Sequence, residues 1–408
     1  MMEKPVVLVC PMDWGLGHAS RCVPVIKAFI RAGCKVVAAC SGPGAGLIRR
    51  EFGITHQGSM PPAGKPFDGN DSTENRPVVI PFPGFPVSYS RRALFFNLVL
   101  RMPLFLYHIG RERRMLRSIV ERTGADLIVS DNRYGLVHRS VPSVLITHQL
   151  RPVMPVLPGV LGGPAGMMVR KMVRAFDECW IPDCPTDTAA GELIRGWEKL
   201  PAVHFVGWLS RFSDAAPSRA AEPSGYRIMF ILSGPEPRRT MLEDLIIDRM
   251  KDYPARLLLV QGLPSGSPEG RQKGSVGVVP FLDSEGMKEA VMKSDMVVCR
   301  SGYSTVMDML VLGKRAVLIP TPGQTEQEYL GRWLSEKGWF RVVSEKDFDP
   351  DILTRLYNDM SLAGDRRAGK DNGFARACPG ENDMLGERVE VIVKKLHRKG
   401  VKLRKRRS

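Results

Sequence analysis

Short apolar runs separated by helix-length stretches recur along this chain in two rounds, and that rhythm most narrows what it can fold into. In the first round Val6–Cys10, Lys35–Cys40, Asp126–Ser130 and Ser143–Thr147 read as strands, and a helix fits Ala19–Ala32, closed by Gly33. In the second, strands fit Arg227–Leu232, Arg256–Gln261, Gly277–Phe281, Met296–Cys299 and Ala316–Ile319. Helices fit Arg239–Lys251, Glu285–Lys293, Tyr303–Leu312 and Thr325–Lys337. Unbroken Val, Ile and Leu runs belong to strands covered on both faces, and strand–helix alternation builds a parallel sheet. The predicted fold class is α/β, with two Rossmann-like domains facing across a cleft. Residues 1–209 are read as the first domain, 210–225 as an Ala-, Ser- and Pro-rich linker, and 226–383 as the second domain. Residues 384–408 are read as a C-terminal helix and basic tail, and the stretches near 58–77 and 362–383 as irregular loops.

Charge and cysteine usage exclude several classes. No window reaches the roughly 18 apolar residues of a membrane span, and the N-terminal apolar run is too short for a secretory leader. The eight cysteines are scattered without a CxxC pair, which argues against a zinc site or a disulfide framework and for a reducing, cytoplasmic setting. The net charge of +16 is local: Lys394–Ser408 holds nine basic residues and no acid, and Arg91–Arg117 holds seven Arg and one Glu. The second stretch reads either as core helices with solvated arginines or as an interfacial segment, with Phe95, Phe96, Leu98 and Phe105 in lipid and Pro103 kinking a long helix. The tail reads as a solvated end or as added attraction to an anionic membrane. It lacks the interleaved aromatics of single-strand readers, so nucleic acid is disfavoured.

The first strand runs into a glycine loop, "VVLVCPMDWGLGHASR". Its G-x-G-x-x-S spacing is near a dinucleotide fingerprint, but the next strand ends "VVAACSGPGAG", without the acid that would hold a ribose. Gly15 and Gly17 instead suit close backbone approach, ahead of a helix whose free N–H groups face an anion. His18 sits at that junction. Such a His can simply cap or pack, yet its place at a strand's carboxyl end makes it a candidate general base. Asp13 is positioned to orient it, to bind substrate, or to cap the turn. Asp131, Asn132 and Arg133 follow "DLIVS", and His148 follows "VLIT"; these are read as the acceptor-side lining, with His148 the second candidate base.

The stretch from Met296 to Gly331, "MVVCRSGYSTVMDMLVLGKRAVLIPTPGQTEQEYLG", is the sharpest. A strand ends, Arg300, Ser301 and Gly302 follow, and a helix opens with Ser304 and Thr305 in its first turn. Hydroxyls, a flexible glycine and helix amides suit a diphosphate. Asp308 lies four residues after Ser304, on the same face, where a carboxylate can accept from two ribose hydroxyls. Gln324, Gln327 and Glu328, after the next strand, suit sugar hydroxyls.

This segment resembles the donor half of GT-B glycosyltransferases, especially glycosyltransferase family 28 and MurG-like proteins. The whole chain is similar to a bacterial glycosyltransferase-like group with a "DWGLGHA-R" start. The resemblance implies a nucleotide-sugar donor, a UDP-sugar such as UDP-GlcNAc, held by the second domain. It implies an acceptor, lipid-linked or envelope glycan, at the first, at the inner face of the cytoplasmic membrane. By motif position, Ser301 and Gly302 match the diphosphate loop, Asp308 the ribose carboxylate, and Gln327 and Glu328 the sugar-reading pair. Phe281 and Leu282 match the loop that frames the base. Ser233 and Gly234 match the second domain's first loop, where Pro235 and Pro237 depart from the family's glycines. Gly15, Gly17 and His18 match the cleft loop. The implied reaction is an inverting transfer without cofactor. No D-x-D pair follows a predicted strand, so no metal is expected. A UDP-sugar 2-epimerase, a nucleotide-sugar hydrolase and a non-catalytic nucleotide-sugar binder are the alternatives.

Overall fold

The computed structural model describes residues 4–13, 15–55, 76–83, 102–151, 162–213, 225–264, 269–366 and 383–407. Most of the linker, the middle of both irregular loops, and Phe95, Phe96 and Leu98 lie outside the described residues. Two seven-stranded sheets carry the fold. The first comprises β1 (Val6–Cys10), β2 (Lys35–Ala39), β3 (Val78–Ile80), β4 (Leu127–Asp131), β5 (Ser143–Ile146), β6 (Glu178–Ile181) and β7 (Val203–Phe205), in the order β3-β2-β1-β4-β5-β6-β7. All its pairs are parallel. The second comprises β8 (Tyr226–Ile231), β9 (Leu257–Val260), β10 (Arg271–Lys273), β11 (Val276–Val279), β12 (Ser294–Cys299), β13 (Ala316–Leu318) and β14 (Arg341–Val342). Its order, β10-β11-β9-β8-β12-β13-β14, repeats the first pattern with one antiparallel edge strand, β10.

In both sheets the winding reverses beside the first strand, between β1 and β4 and between β8 and β12. Loops at the carboxyl ends of those strands diverge and leave a crevice, the usual ligand position in open α/β sheets. Helix α1 (Leu16–Arg31) follows β1, and its buried Ala19, Cys22, Val23, Ile26 and Phe29 recur at helical spacing against the sheet. Helix α2 (Gly42–Glu51) follows β2. Helix α3 (Met102–Thr123) precedes β4 and buries Leu116, Ile119 and Val120. Pro103 is the second described residue of this helix, and the residues before Met102, on which the kink reading depends, lie outside the described residues. Of the arginine-rich stretch, the described part is thus a core-packed helix with Arg113, Arg114 and Arg117 exposed.

Helices α4 (Gly162–Val173), α5 (Arg238–Met250), α6 (Ser284–Met292), α7 (Tyr303–Val311) and α8 (Thr325–Glu336) complete the two rounds. Helix α9 (Pro350–Arg366) takes up the start of the predicted loop at 362–383. Helix α10 (Met384–Arg407) then returns to the first domain. Its Leu385, Val389, Ile392 and Val393 are buried there, and Arg388 Nε donates to Glu178 Oε2 of β6 at 2.9 Å. The basic tail, read as a solvated end, continues this helix to Arg407. Among the described residues no helix is long and apolar enough to cross a membrane. One expectation is corrected: Cys184 is disulfide-bonded, although Cys10, Cys22, Cys34, Cys40, Cys179 and Cys299 are free and buried.

Candidate active site

The crevice between the domains encloses about 250 Å³. Its first-domain wall comes from the loop after β1 and the start of α1, with Gly15, Gly17 and His18, and from the segment after β5, with His148 and Gln149. Gly15 holds φ +87°, a left-handed conformation that glycine adopts without strain. Gly17 has a different reason to be glycine. Ser304 Oγ donates to its carbonyl at 2.9 Å, and a Cβ there would stand 3.0 Å from that oxygen. The glycine therefore lets the two domains meet.

Behind this wall lies a buried polar chain. His18 Nδ1 is 2.9 Å from Asp131 Oδ2. Asp131 ends β4 and is wholly buried. Arg21, one turn along α1 and 1% exposed, donates to Asp131 Oδ1 from Nε at 2.8 Å and again from Nη2. Its Nη1 is 3.1 Å from His148 Nδ1, and His148 Nε2 is 2.8 Å from Glu326 Oε1. Glu326 comes from the first turn of α8, and its second oxygen accepts from Gln149 Nε2.

Proton positions follow from the partners. A guanidinium only donates, so His148 Nδ1 accepts and its ring proton sits on Nε2, given to Glu326. A carboxylate only accepts, so His18 turns Nδ1–H toward Asp131. Arg21 Nη2 also lies 3.0 Å from His18 Nδ1; two donors then share Asp131 as acceptor. His18 Nε2 has no protein partner among the described residues and is the nitrogen left for a ligand. Burial drives the His148 pKa below its usual value, with Glu326 opposing. Burial alone would raise Asp131 and Glu326, yet both are held low, Asp131 by Arg21 and His18 and Glu326 by its bond from His148. Tyr303 stacks on the His148 ring, centroids 4.0 Å apart and planes 3° from parallel.

The second-domain wall is built differently. Helix α7 starts at Gly302 without a side-chain cap, so its first-turn N–H groups stay available beside Ser304 and Thr305. Helix α8 likewise starts at Gln324 without one. Ser233 and Gly234, after β8, and Phe281, after β11, complete the lining. Asp308 faces the crevice, accepts from Ser210 Oγ at 2.6 Å, and is pushed up to about 6 by burial, with Arg211 and Ser210 opposing. Arg211 also lines the crevice, and its buried Nε has no hydrogen-bond partner.

Comparison with known proteins agrees with this layout. Residues 265–377 match the glycosyltransferase family 28 C-terminal domain. The solved structure of the glycotransferase of kitacinnamycin covers 97% of this chain and 100% of its own at a TM-score of 0.60 and 16% identity. The chain has the two-domain GT-B fold, and its second domain carries the family 28 match. Two curated relatives bear the name UDP-N-acetylglucosamine--N-acetylmuramyl-(pentapeptide) pyrophosphoryl-undecaprenol N-acetylglucosamine transferase. The one from Sulfurihydrogenibium sp. is 25% identical over 150 residues, 36% of this chain and 42% of its own length. The one from Nocardia farcinica is 23% identical over 304 residues, 72% of this chain and 77% of its own. The chain thus spans less than half of the first relative and about three quarters of the other.

Within this GT-B site the sequence-predicted residues separate into two groups. Gly15, Gly17, His18, Asn132, His148, Ser233, Gly234, Phe281, Gly302, Ser304, Thr305, Asp308, Gln324 and Gln327 all line the crevice. Others are committed elsewhere, and two of the lining residues, His148 and Gln327, also spend side-chain atoms on protein partners. The carboxylate beside His18 is Asp131, not Asp13, which accepts from Ser41 N at 3.5 Å. Asp131 stands behind His18, not on the acceptor surface. Arg133 pairs with Glu112 and stacks on Phe82, turned into the domain. Arg300 is buried against Glu345 at 2.6 Å. Ser301 Oγ donates to Gln327 O at 2.8 Å, and Glu328 accepts from Gly323 N at 2.8 Å. Gln327 Oε1 accepts from Thr321 N and Oγ1, both at 3.0 Å, and Leu282 packs at the core's edge. His148 has both ring nitrogens engaged, which removes the free lone pair a second base would need. Sequence reasoning missed Arg21, Gln149, Ser210, Arg211 and Glu326. Arg21 had a visible signal, since it lies one helical turn after His18.

Proposed function

We propose that this GT-B protein transfers a sugar from a nucleotide sugar, a UDP-sugar, to an acceptor hydroxyl with inversion at the anomeric carbon. The observation that carries the reading is the His18–Asp131 pair facing the uncapped start of α7 across one crevice. His18 Nε2 takes the proton of the acceptor hydroxyl as its oxygen bonds to the anomeric carbon. The bond from that carbon to the diphosphate breaks, and the diphosphate leaves with the electron pair. First-turn amides of α7, with Ser304 and Thr305, stabilise the charge that develops there. Asp308, ionised, clasps the pentose hydroxyls, and Arg211 Nε finds its missing acceptor on the donor. No metal is needed for these steps.

The names of the curated relatives support UDP-N-acetylglucosamine as the donor to try first and an undecaprenol-linked acceptor. A lipid-linked acceptor calls for contact with a membrane surface. Helix α3 offers one at its start, where Leu106 and Tyr107 are 54% and 59% exposed beside exposed Arg111, Arg113 and Arg114. The test is UDP release from UDP-N-acetylglucosamine with and without anionic vesicles bearing a lipid-linked sugar, with the anomer of the product determined. Acceptor-dependent release and an inverted anomer are expected. Equal release without acceptor marks a hydrolase, conversion of the donor to an isomeric nucleotide sugar without UDP release marks an epimerase, and a retained anomer ends the His18 mechanism.

A further inference from the structure

We propose that Glu326 is a positioning residue that completes the His18 base from the opposite domain. The inference rests on the reading of His18 as base, and it concerns a residue which that reading leaves unassigned. The titratable groups facing His18 are Asp131 at the end of β4, Arg21 on α1, His148 after β5 and Glu326 on α8. Around them stand the Tyr303 ring and the Gln149 amide, both uncharged. The hydrogen-bond directions fix the charges. His148 is neutral, because Arg21 donates to Nδ1 and Nε2–H donates to Glu326.

The chain therefore holds two carboxylates and one guanidinium, with one negative charge unbalanced while His18 is neutral. A proton arriving on His18 brings the cluster to neutrality. All members but one belong to the first domain; Glu326 alone is delivered by α8. With the domains apart, Asp131 and Arg21 cancel, and protonating His18 would leave a buried positive charge. Low dielectric magnifies the difference. The donor domain thus supplies the second carboxylate of the cluster, the one that balances a proton arriving on His18. The Arg21–His148 link keeps the two carboxylates in register: His148 is locked flat against Tyr303, so Glu326 meets a fixed N–H.

Two readouts separate this inference from the reading beneath it. The first is the titration of His18 by imidazole NMR in the full-length protein, wild type against Glu326→Gln. Glutamine keeps an acceptor oxygen for His148 and removes the charge, and its NH2 is met by the Gln149 amide turned over to present its oxygen. The expected result is a His18 midpoint about one pH unit lower in E326Q, with Glu326→Asp restoring the wild-type value. An unchanged midpoint overturns the proposal whether or not His18 is the base. The second is the pH profile of kcat, where E326Q should move the acid limb down with the NMR midpoint, cut plateau kcat about 3- to 10-fold and leave donor KM unchanged. A loss confined to KM overturns the proposal in favour of direct donor contact. Should E326Q fail to fold, E326D against His148→Gln gives the same comparison, since H148Q keeps the carboxylate but breaks its link.

Discussion

The two walls of the crevice are built on opposite principles. The first-domain wall is saturated: His18 Nδ1, Asp131, Arg21 and His148 satisfy one another in a buried chain. The second-domain wall is left incomplete, with an arginine Nε without an acceptor and a carboxyl group pushed up to about 6; helix starts without side-chain caps stand on both walls, α1 on the first and α7 and α8 on the second. A saturated wall holds one nitrogen in one orientation, as proton transfer demands. An incomplete wall keeps donors and acceptors in reserve for a ligand that brings the missing partners. One wall is arranged for chemistry and the other for binding.

The hardest blow to this contrast is His18→Ala. It should lower kcat by about 10²- to 10⁴-fold while donor KM stays near wild type; a collapse of donor binding would mean that the saturated wall also binds. Asp131→Asn comes next, because it strands the buried Arg21 cation. A loss of about 3 kcal/mol at pH 7 is expected from denaturant midpoints. The Asp131 carboxyl titrates below its usual range, so its contribution is complete at neutral pH and is lost as pH falls through the depressed value. Wild type and D131N should therefore converge in acid. The smallest effect belongs to Asp308→Asn, at about tenfold in donor affinity. In the wild type that affinity should rise with pH through about 6, whereas in D308N it should be flat. The stability sign is opposite to that of Asp131. A raised carboxyl pKa means that ionisation costs stability as pH rises through about 6, so D308N should melt no lower than wild type at pH 8.

Much of the fold was legible because buried parallel strands write themselves as apolar runs. The strands that were predicted, such as Val6–Cys10, Met296–Cys299 and Ala316–Ile319, stand within about two residues of the observed limits. The missed ones carried a weaker signal: β10 is Arg-Gln-Lys and fully exposed, β3, β7 and β14 have three residues or fewer, and β6, though buried, is four residues long and opens on Glu178. The site was legible where one loop made it, as in Gly15–His18 or Gly302–Asp308. It was not legible where distant residues made it jointly. Arg21 and Asp131 are 110 positions apart, and His148 and Glu326 are 178 apart. No local period reports such pairs. The same limit leaves Asp13, five residues from His18, with three open roles, while the carboxylate that meets His18 is Asp131. It also explains why Ser210 and Arg211 were read as the start of a linker.

The return of α10 to the first sheet carries a mechanical consequence. The polypeptide passes between the domains twice, once after Ser213 and once between Arg366 and Asp383. Two tethers define a line, and a body held along a line can swing about it but cannot drift off or spin freely. Glu326 and His148, one from each domain, are thereby joined through two covalent connections as well as through their hydrogen bond.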